Sequence, residues 1–266
     1  MTEQNPSPEQ IAAIIATFLR TPDGSRRRTS MLDDPMERPE GVNRETWRRW
    51  FERLPHHREP ALRALEVLQR NDGRVPRGTH VIRRHDLAAL AATARDDRDR
   101  TVTLFVATMM WGSGCTNGRG PRYTDAALRD RRLVDTLQAT AALVASGCLA
   151  EAHKRFEIKG IGPSFFTKWL WASALGDHHL EHQPLVLDTR VITTVNRLGW
   201  QLHRVGDHHA DRYAGYVRDA HQWAALVTMS IDQCIRAEHI QWLLFERNEG
   251  SLSHALAHRA VELMPG

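Results

Sequence analysis

Three groups of residues in this chain have the types and spacing to do chemistry. The first is Gly160-Ile161-Gly162, a pair of glycines around an apolar residue, followed by Pro163 and Ser164. Glycine admits backbone angles and close approaches that side chains forbid, and proline fits the first position of a helix. The amides of a helix opening there face outward, with the dipole favouring an anion such as a phosphate. The second is Asp188, between the apolar run Pro184-Leu185-Val186-Leu187 and Thr189-Arg190-Val191-Ile192. It stands where a helix N-cap belongs, and an ordinary capping aspartate contributes about 1 kcal/mol. A carboxylate in an apolar mouth can also stabilise developing positive charge or orient a water. The third is Lys168, one helical turn beyond Ser164 and therefore on the same face.

The elements that position these residues read as helices almost everywhere, which predicts an all-α fold. Ser7-Pro8-Glu9 forms an N-cap, and Ile11, Ile14, Ile15, Phe18 and Leu19 make one apolar face behind it. Residues 20–42 are polar, hold several prolines and Arg26-Arg27-Arg28, and read as a loop. Trp47, Trp50, Phe51 and Leu54 mark a second helix, and residues 60–70 and 84–95 two more. Thr101–Trp111 is apolar, readable as a helix or as a buried strand feeding a Gly-rich loop, and runs into Gly112-Ser-Gly-Cys-Thr-Asn117-Gly118; Leu133, Val134, Leu137, Ala141 and Val144 form another stripe. The hairpin helix follows, with Gly176 as its C-cap, and after it the helix that starts at Asp188. A long helix over 222–246 and a last one near 253–263 complete the chain. No strand-like alternation and no internal repeat is evident. The division expected is a helical region over 1–98 and a core over 99–266, with the hairpin at 156–176, the Asp188 helix at 188–199 and C-terminal helices at 222–263.

Composition narrows the classes. A net charge of +4 and a pI near 9.3 permit nucleic-acid binding without requiring it. The lysines are Lys154, Lys159 and Lys168 alone, and the arginines are spread along the chain without a stripe. The three cysteines, Cys115, Cys148 and Cys234, are too few and too scattered for a disulfide framework or a four-cysteine iron–sulfur site. No apolar run approaches membrane-spanning length, and the Met1–Pro6 stretch is unlike a signal peptide. A cytoplasmic location with no membrane partner is the expectation.

Residues 156–198 resemble the helix-hairpin-helix DNA glycosylase superfamily, and most closely its 8-oxoguanine glycosylase branch. The resemblance rests on Ile158-Lys159-Gly160-Ile161-Gly162 and on Leu185-Val186-Leu187-Asp188. Thr101–Trp111 is similar to the family's first core helix, and the Gly112–Gly118 stretch to the loop that fills the gap in the duplex. The resemblance implies a two-lobed helical architecture with the active site in the cleft between lobes. It implies double-stranded DNA carrying a modified base as the partner, and a place at the nucleoid. Asp188 is then catalytic, with Lys168 a second catalytic candidate. Lys159, Gly160, Ile161, Gly162, Ser164, Arg190 and Asn117 contact DNA, and Trp111, Glu238, Gln241 and Trp242 line the base pocket. No metal and no organic cofactor is implied, only a monovalent cation on the hairpin carbonyls.

In that mechanism the nucleotide is rotated out of the duplex, at a cost of a few kcal/mol. Trp111 and Asn117 are the candidates to fill the gap. Cleavage of the N-glycosidic bond builds positive charge on the sugar, which an ionised Asp188 stabilises more in the transition state than in the ground state. It can then orient or deprotonate the attacking water. Gln241 and Glu238 could read a base edge and Trp242 or Phe245 stack on it, at about 1–3 kcal/mol per stacked base. Three departures stand out. Ser164 occupies the place where bifunctional members carry a Schiff-base lysine, which points to hydrolysis alone. Phe165 and Phe166 stand where small residues are common, and the 176–183 connection is long. The base could be 8-oxoguanine, another lesion, or a hypermodified base of phage DNA.

Other signals compete. Gly112-Ser-Gly-Cys lacks the third glycine of a dinucleotide fingerprint and the Gly-Lys-Ser/Thr of a P-loop. His178-His-Leu-Glu181-His182 fits an inverted zinc-protease pattern, but that pattern needs a helix and the stretch follows a C-cap glycine. Cys115 has no assignable histidine partner. The alternative of another class is a non-catalytic helix-hairpin-helix DNA-binding protein.

Overall fold

Helices carry nearly all the regular structure, as the 3.6-residue spacing of apolar side chains requires. The computed structural model describes residues 6–21, 40–73, 75–115, 118–177, 179–200 and 209–246. Its helices are α1 (Pro8–Arg20), α2 (Arg44–Phe51), α3 (Arg58–Arg63), α4 (Arg84–Ala94), α5 (Arg98–Ser113), α6 (Arg119–Leu128), α7 (Leu133–Ala145), α8 (Leu149–Arg155), α9 (Pro163–Ser173), α10 (Thr189–Arg197), α11 (His209–Ile231) and α12 (Ala237–Glu246). No helix among the described residues is long and apolar enough to cross a membrane.

Three short strands, which the absence of strand-like alternation in the sequence did not foretell, accompany the helices. Strands β1 (Glu40–Val42), β2 (Gln69–Arg70) and β3 (His80–Ile82) form an antiparallel sheet in the order β1-β3-β2. Each is two or three residues long, too short to show a period-2 alternation. The sheet also shortens the helix expected over 60–70, which ends at Arg63 and gives way to β2.

By its contacts the chain falls into two compact units: a middle unit, Met36–Pro184, and an end unit made of Met1–Pro35 with Leu185–Gly266. In the middle unit α5 is the central helix, packed by α3, α4, α6, α7, α9 and β1. Its residues Thr101–Met110 are buried on every side. That explains why the stretch reads as uniformly apolar, and it settles the strand-or-helix ambiguity in favour of a helix. Asp97 caps it by accepting from the Arg100 amide at 3.0 Å. Helix α9 is buried along Phe166–Ala172 and packs against α4, α5, α7 and α8. Trp169 anchors it: its ring meets Phe105 edge-on at 6.1 Å and its indole N–H donates to the Thr140 hydroxyl at 3.0 Å.

In the end unit α1 packs along α11, and α10 and α11 both pack on α12. Ser7 caps α1 as expected: its hydroxyl accepts from the Gln10 amide, and Gln10 returns a bond to the Ser7 amide at 2.7 Å. The far end of α1 is tied by the Arg20 guanidinium, which donates to the carbonyl and hydroxyl of Ser230. The single helix expected over 222–246 is two helices. The break lies at Asp232, in the left-handed region at φ 53°. There the chain folds back so that the Thr228 hydroxyl accepts from the Ile235 amide at 2.8 Å and donates to its carbonyl at 3.2 Å. Of the loop expected at 20–42, residues 22–39 lie outside the described residues and 40–42 form β1, and the helix expected near 253–263 lies outside them too.

Candidate functional site

The glycine turn in the middle unit has the geometry its sequence demands. Gly160 takes φ 89°, a left-handed conformation that an L side chain rarely adopts. The Ile161 side chain is buried and its amide bonds back to the Ile158 carbonyl at 3.1 Å, which closes the turn. Gly162 is the extended N-cap of α9, and its carbonyl accepts from Phe165 at 2.8 Å and Phe166 at 3.0 Å. Lys159, Gly160, Gly162 and Pro163 are exposed, Ser164 half so. Among the described residues the amides of Gly162 and Ser164 make no backbone bond. Exposed amides at the N-terminus of an eleven-residue helix form a surface that suits a phosphate. The aromatics of this segment act as struts: Phe166 stacks on Phe156 at 5.2 Å and meets His153 edge-on at 4.7 Å.

One neighbour of the turn was not anticipated from sequence. Tyr123 of α6 lies beside Gly160, with its Cδ1 3.9 Å from where a Cβ on Gly160 would be. The exposed Arg122 guanidinium lies 4.9 Å over the Tyr123 ring and donates to its hydroxyl at 3.2 Å. This adds a second basic group to the turn beside Lys159. Nothing local in Arg122-Tyr123 announces it, because the pairing comes from the packing of α6.

Lys168 is buried, at 8% exposure. Its stem crosses Gly112 of α5, where a Cβ would fall 2.3 Å from the lysine Cδ. Its ammonium donates to the Ser164 carbonyl at 2.6 Å and lies 5.4 Å over the Phe165 ring. Lys168, Ser164 and the end of α5 that carries Trp111 are thus brought together within one unit. Trp111 itself is half-buried and stacks on Trp171 at 4.9 Å. The Arg84 guanidinium of α4 sits over both indoles, 5.4 Å from Trp111 and 5.1 Å from Trp171. Asn117 lies outside the described residues.

Asp188, in the end unit, caps α10. One carboxylate oxygen, Oδ1, accepts from the amides of Arg190 at 3.0 Å and Val191 at 3.1 Å. Among the described residues no hydrogen bond reaches Oδ2 from the protein. Pro184–Leu187 are buried and Asp188 is half-buried, so the apolar run ends in a carboxylate at the surface of the fold. The run is held from below: the buried Tyr213 hydroxyl donates to the Leu185 carbonyl at 3.0 Å. Burial pushes the Tyr213 phenol up, so it stays a donor. Arg190 is exposed, with its guanidinium 4.8 Å over the Phe245 ring.

Helix α12 carries the other base-pocket candidates. It is joined to α10 where the Thr194 hydroxyl donates to the Leu244 carbonyl at 2.8 Å. Gln241 and Trp242 are buried, at 5% and 7% exposure, and Glu238 is half-buried in the first turn. Glu238 lies two turns before Phe245, about 10 Å of helix rise. Phe245, at the far end of α12 from Glu238, is the side chain that lies under the Arg190 guanidinium in the first turn of α10.

The competing motifs are accounted for in part. Residues 179–182 are turn and loop rather than helix, and His178 lies outside the described residues. The Cys115 thiol donates to the Gly41 carbonyl at 3.2 Å, and burial pushes it up, away from the thiolate a nucleophile needs.

No curated protein and no solved structure matches the chain. A family model described as "putative 8-oxoguanine DNA glycosylase OGG-like protein" matches residues 33–245, a span that holds both the glycine turn and Asp188. That span is well over half of the sequence, and the chain belongs to this 8-oxoguanine DNA glycosylase-like family.

Proposed function

We propose that the protein is a DNA glycosylase that extrudes a modified base from double-stranded DNA and hydrolyses its N-glycosidic bond, leaving an abasic site. The observation that carries this reading is the state of Asp188. Its Oδ1 is occupied by two helix amides while Oδ2 is not, so the carboxylate is fixed in direction and still has a reacting edge. As the glycosidic bond breaks, positive charge grows on the sugar, and a fixed carboxylate stabilises that charge without reorganising. The same oxygen can orient the attacking water and take its proton. The turn at Gly160–Gly162 holds a backbone phosphate through the Gly162 and Ser164 amides, with Lys159 and Arg122 adding charge. Its carbonyls offer a place for a monovalent cation. Trp111, Glu238, Gln241 and Trp242 remain the candidates for handling the base, and Arg190 for a further DNA contact.

Ser164 supports hydrolysis without strand cleavage, because no amine stands at that position. Lys168, held against the Ser164 carbonyl, is the one amine of this helix. Borohydride trapping decides its part: an adduct that disappears in Lys168→Met would make the enzyme a lyase as well. The function itself is tested by base release from duplexes carrying 8-oxoguanine opposite cytosine, other damaged bases, and hypermodified bases of phage type. Release of 8-oxoguanine supports a repair role, and release confined to a hypermodified base supports defence against phage DNA. Tight binding with no release from any duplex would make the chain a DNA-binding module instead.

A further inference from the structure

Trp111, at the end of α5, is a candidate for handling the base, and two side chains from other helices back its ring. It stacks on Trp171 of α9, with ring centres 4.9 Å apart and planes 26° from parallel. The guanidinium of Arg84, the first residue of α4, lies 5.4 Å over the Trp111 ring and 5.1 Å over that of Trp171. These three separations are nearly equal, so the groups form a compact triangle. A guanidinium on the far side of a stacked Trp111 would stand much further from Trp171 than from Trp111. Arg84 and Trp171 therefore share one face of the Trp111 ring and leave the other outside their grip. Both backing groups are buried, Arg84 at 6% exposure and Trp171 at 2%, while Trp111 is half-buried. The next residue is braced as well, because the Lys168 stem of α9 fills the notch left by Gly112. Taking a guanidinium out of water costs free energy that an apolar side chain would not. What arginine adds is a flat cation able to lie on two rings at once, which the point charge of lysine is not.

We propose that Arg84 is a positioning residue for Trp111, pinning the indole from behind so that its opposite face stacks on a base released from the opened duplex. Arg84 itself touches no DNA and acts through the ring. A ring fixed in advance loses little freedom when a base arrives, so more of the stacking shows as affinity. Helix α9 links this platform to the strand backbone: the glycine turn lies at its start and Trp171 about two turns along. Stacking on an aromatic ring tolerates any base, because each has a π face, so the platform does not select the lesion.

This inference rests on the base-handling role of Trp111, and its test stands apart from that of base release. Affinities are measured by fluorescence anisotropy for an intact duplex and two probes. One probe carries an abasic-site analogue, which leaves the opposite base unpaired. The other carries the 2′-fluoro nucleotide of 8-oxoguanine, which resists hydrolysis. Trp111→Ala should lower the preference for a probe over the intact duplex roughly tenfold, as expected for one lost stack. Arg84→Met should lower it by a similar factor, with affinity for the intact duplex, which phosphate contacts carry, within about twofold. The double variant should be no worse than Trp111→Ala, because Arg84 acts only through that ring. A loss on the first probe assigns the stack to the base left behind, and a loss on the second to the extruded one. Arg84→Lys keeps the charge and much of the volume, serves where Arg84→Met fails to fold, and should lose the preference severalfold. Wild-type preference in a folded Arg84→Met or Arg84→Lys overturns the proposal. So do losses that multiply in the double variant, or equal affinity of the wild type for all three duplexes. A wild type that shows the preference but releases no base sinks the glycosylase reading and leaves this one standing.

Discussion

The two glycines of the turn are conformationally unlike, and that difference separates folding from DNA contact. Gly160 is at φ 89°, and among the described residues only Tyr123 Cδ1 comes near its missing Cβ, at 3.9 Å. Gly160→Ala therefore meets no clash, only the strain of a left-handed alanine, about 1–2 kcal/mol. For a unit of this size that lowers Tm by roughly 2–8 °C. Gly162 is extended, at φ −81° and ψ 177°, and nothing among the described residues lies within 4 Å of its missing Cβ. Gly162→Ala should leave stability unchanged or raise it by up to about 1 kcal/mol, since alanine restricts the unfolded chain. The added methyl can then obstruct only a ligand. If the turn holds a phosphate, Gly162→Ala weakens duplex binding at constant Tm. It also makes the slope of log affinity against log salt shallower by about 0.9, the signature of one lost phosphate contact. Fluorescence anisotropy over a salt series, beside thermal melts, reads both. Wild-type affinity and slope in Gly162→Ala would refute the phosphate clamp. A melt depressed in Gly162→Ala as much as in Gly160→Ala would refute the backbone argument.

Thr140→Val removes the acceptor of the buried Trp169 indole N–H, and should lower the urea midpoint by an amount worth about 1–3 kcal/mol at constant m-value; an unchanged midpoint would show that the bond holds nothing. The Asp177 carboxyl is held below its ordinary 3.8 by the His179 amide and then by the Arg95 guanidinium, which approaches to 2.6 Å. A folded value below the unfolded one gives stabilisation that is complete above about pH 4 and lost as the pH falls through the lower folded value. Asp177→Asn should therefore lose less stability than wild type between about pH 5 and about pH 2, and parallel losses would contradict that assignment.

What could be read in the sequence was what local rules determine. Ser7-Pro8 and Leu187-Asp188 mark helix starts because capping depends on a few adjacent residues, and both caps form with the bonds expected of them. Gly160-Ile161-Gly162-Pro163 marks the turn for the same reason. Thr101–Met110 was ambiguous because a helix buried on all sides has no polar face to reveal its period. The three strands were invisible because each owes its pairing to residues tens of positions away, such as Gly41 with Val81. Nor does periodicity say that α1 lies along α11, or that Trp111 stacks on Trp171 beneath Arg84. The break at Asp232 depends on Thr228 capturing both polar groups of Ile235, which no composition rule anticipates. Tyr213 did leave a signal, a phenol on an otherwise apolar helix face, and its meaning emerges only once the Leu185 carbonyl is seen against it.

The central claim is that the charge of Asp188, and not merely its cap, drives base release. Asparagine keeps the cap that Oδ1 supplies to Arg190 and Val191 and removes only the charge. The direct measurement is single-turnover release by wild type and Asp188→Asn on whichever modified duplex the wild type processes. Release should fall by at least about a hundredfold in the variant, with Tm and duplex affinity unchanged. Release by a folded, DNA-binding Asp188→Asn at the wild-type rate would contradict the account.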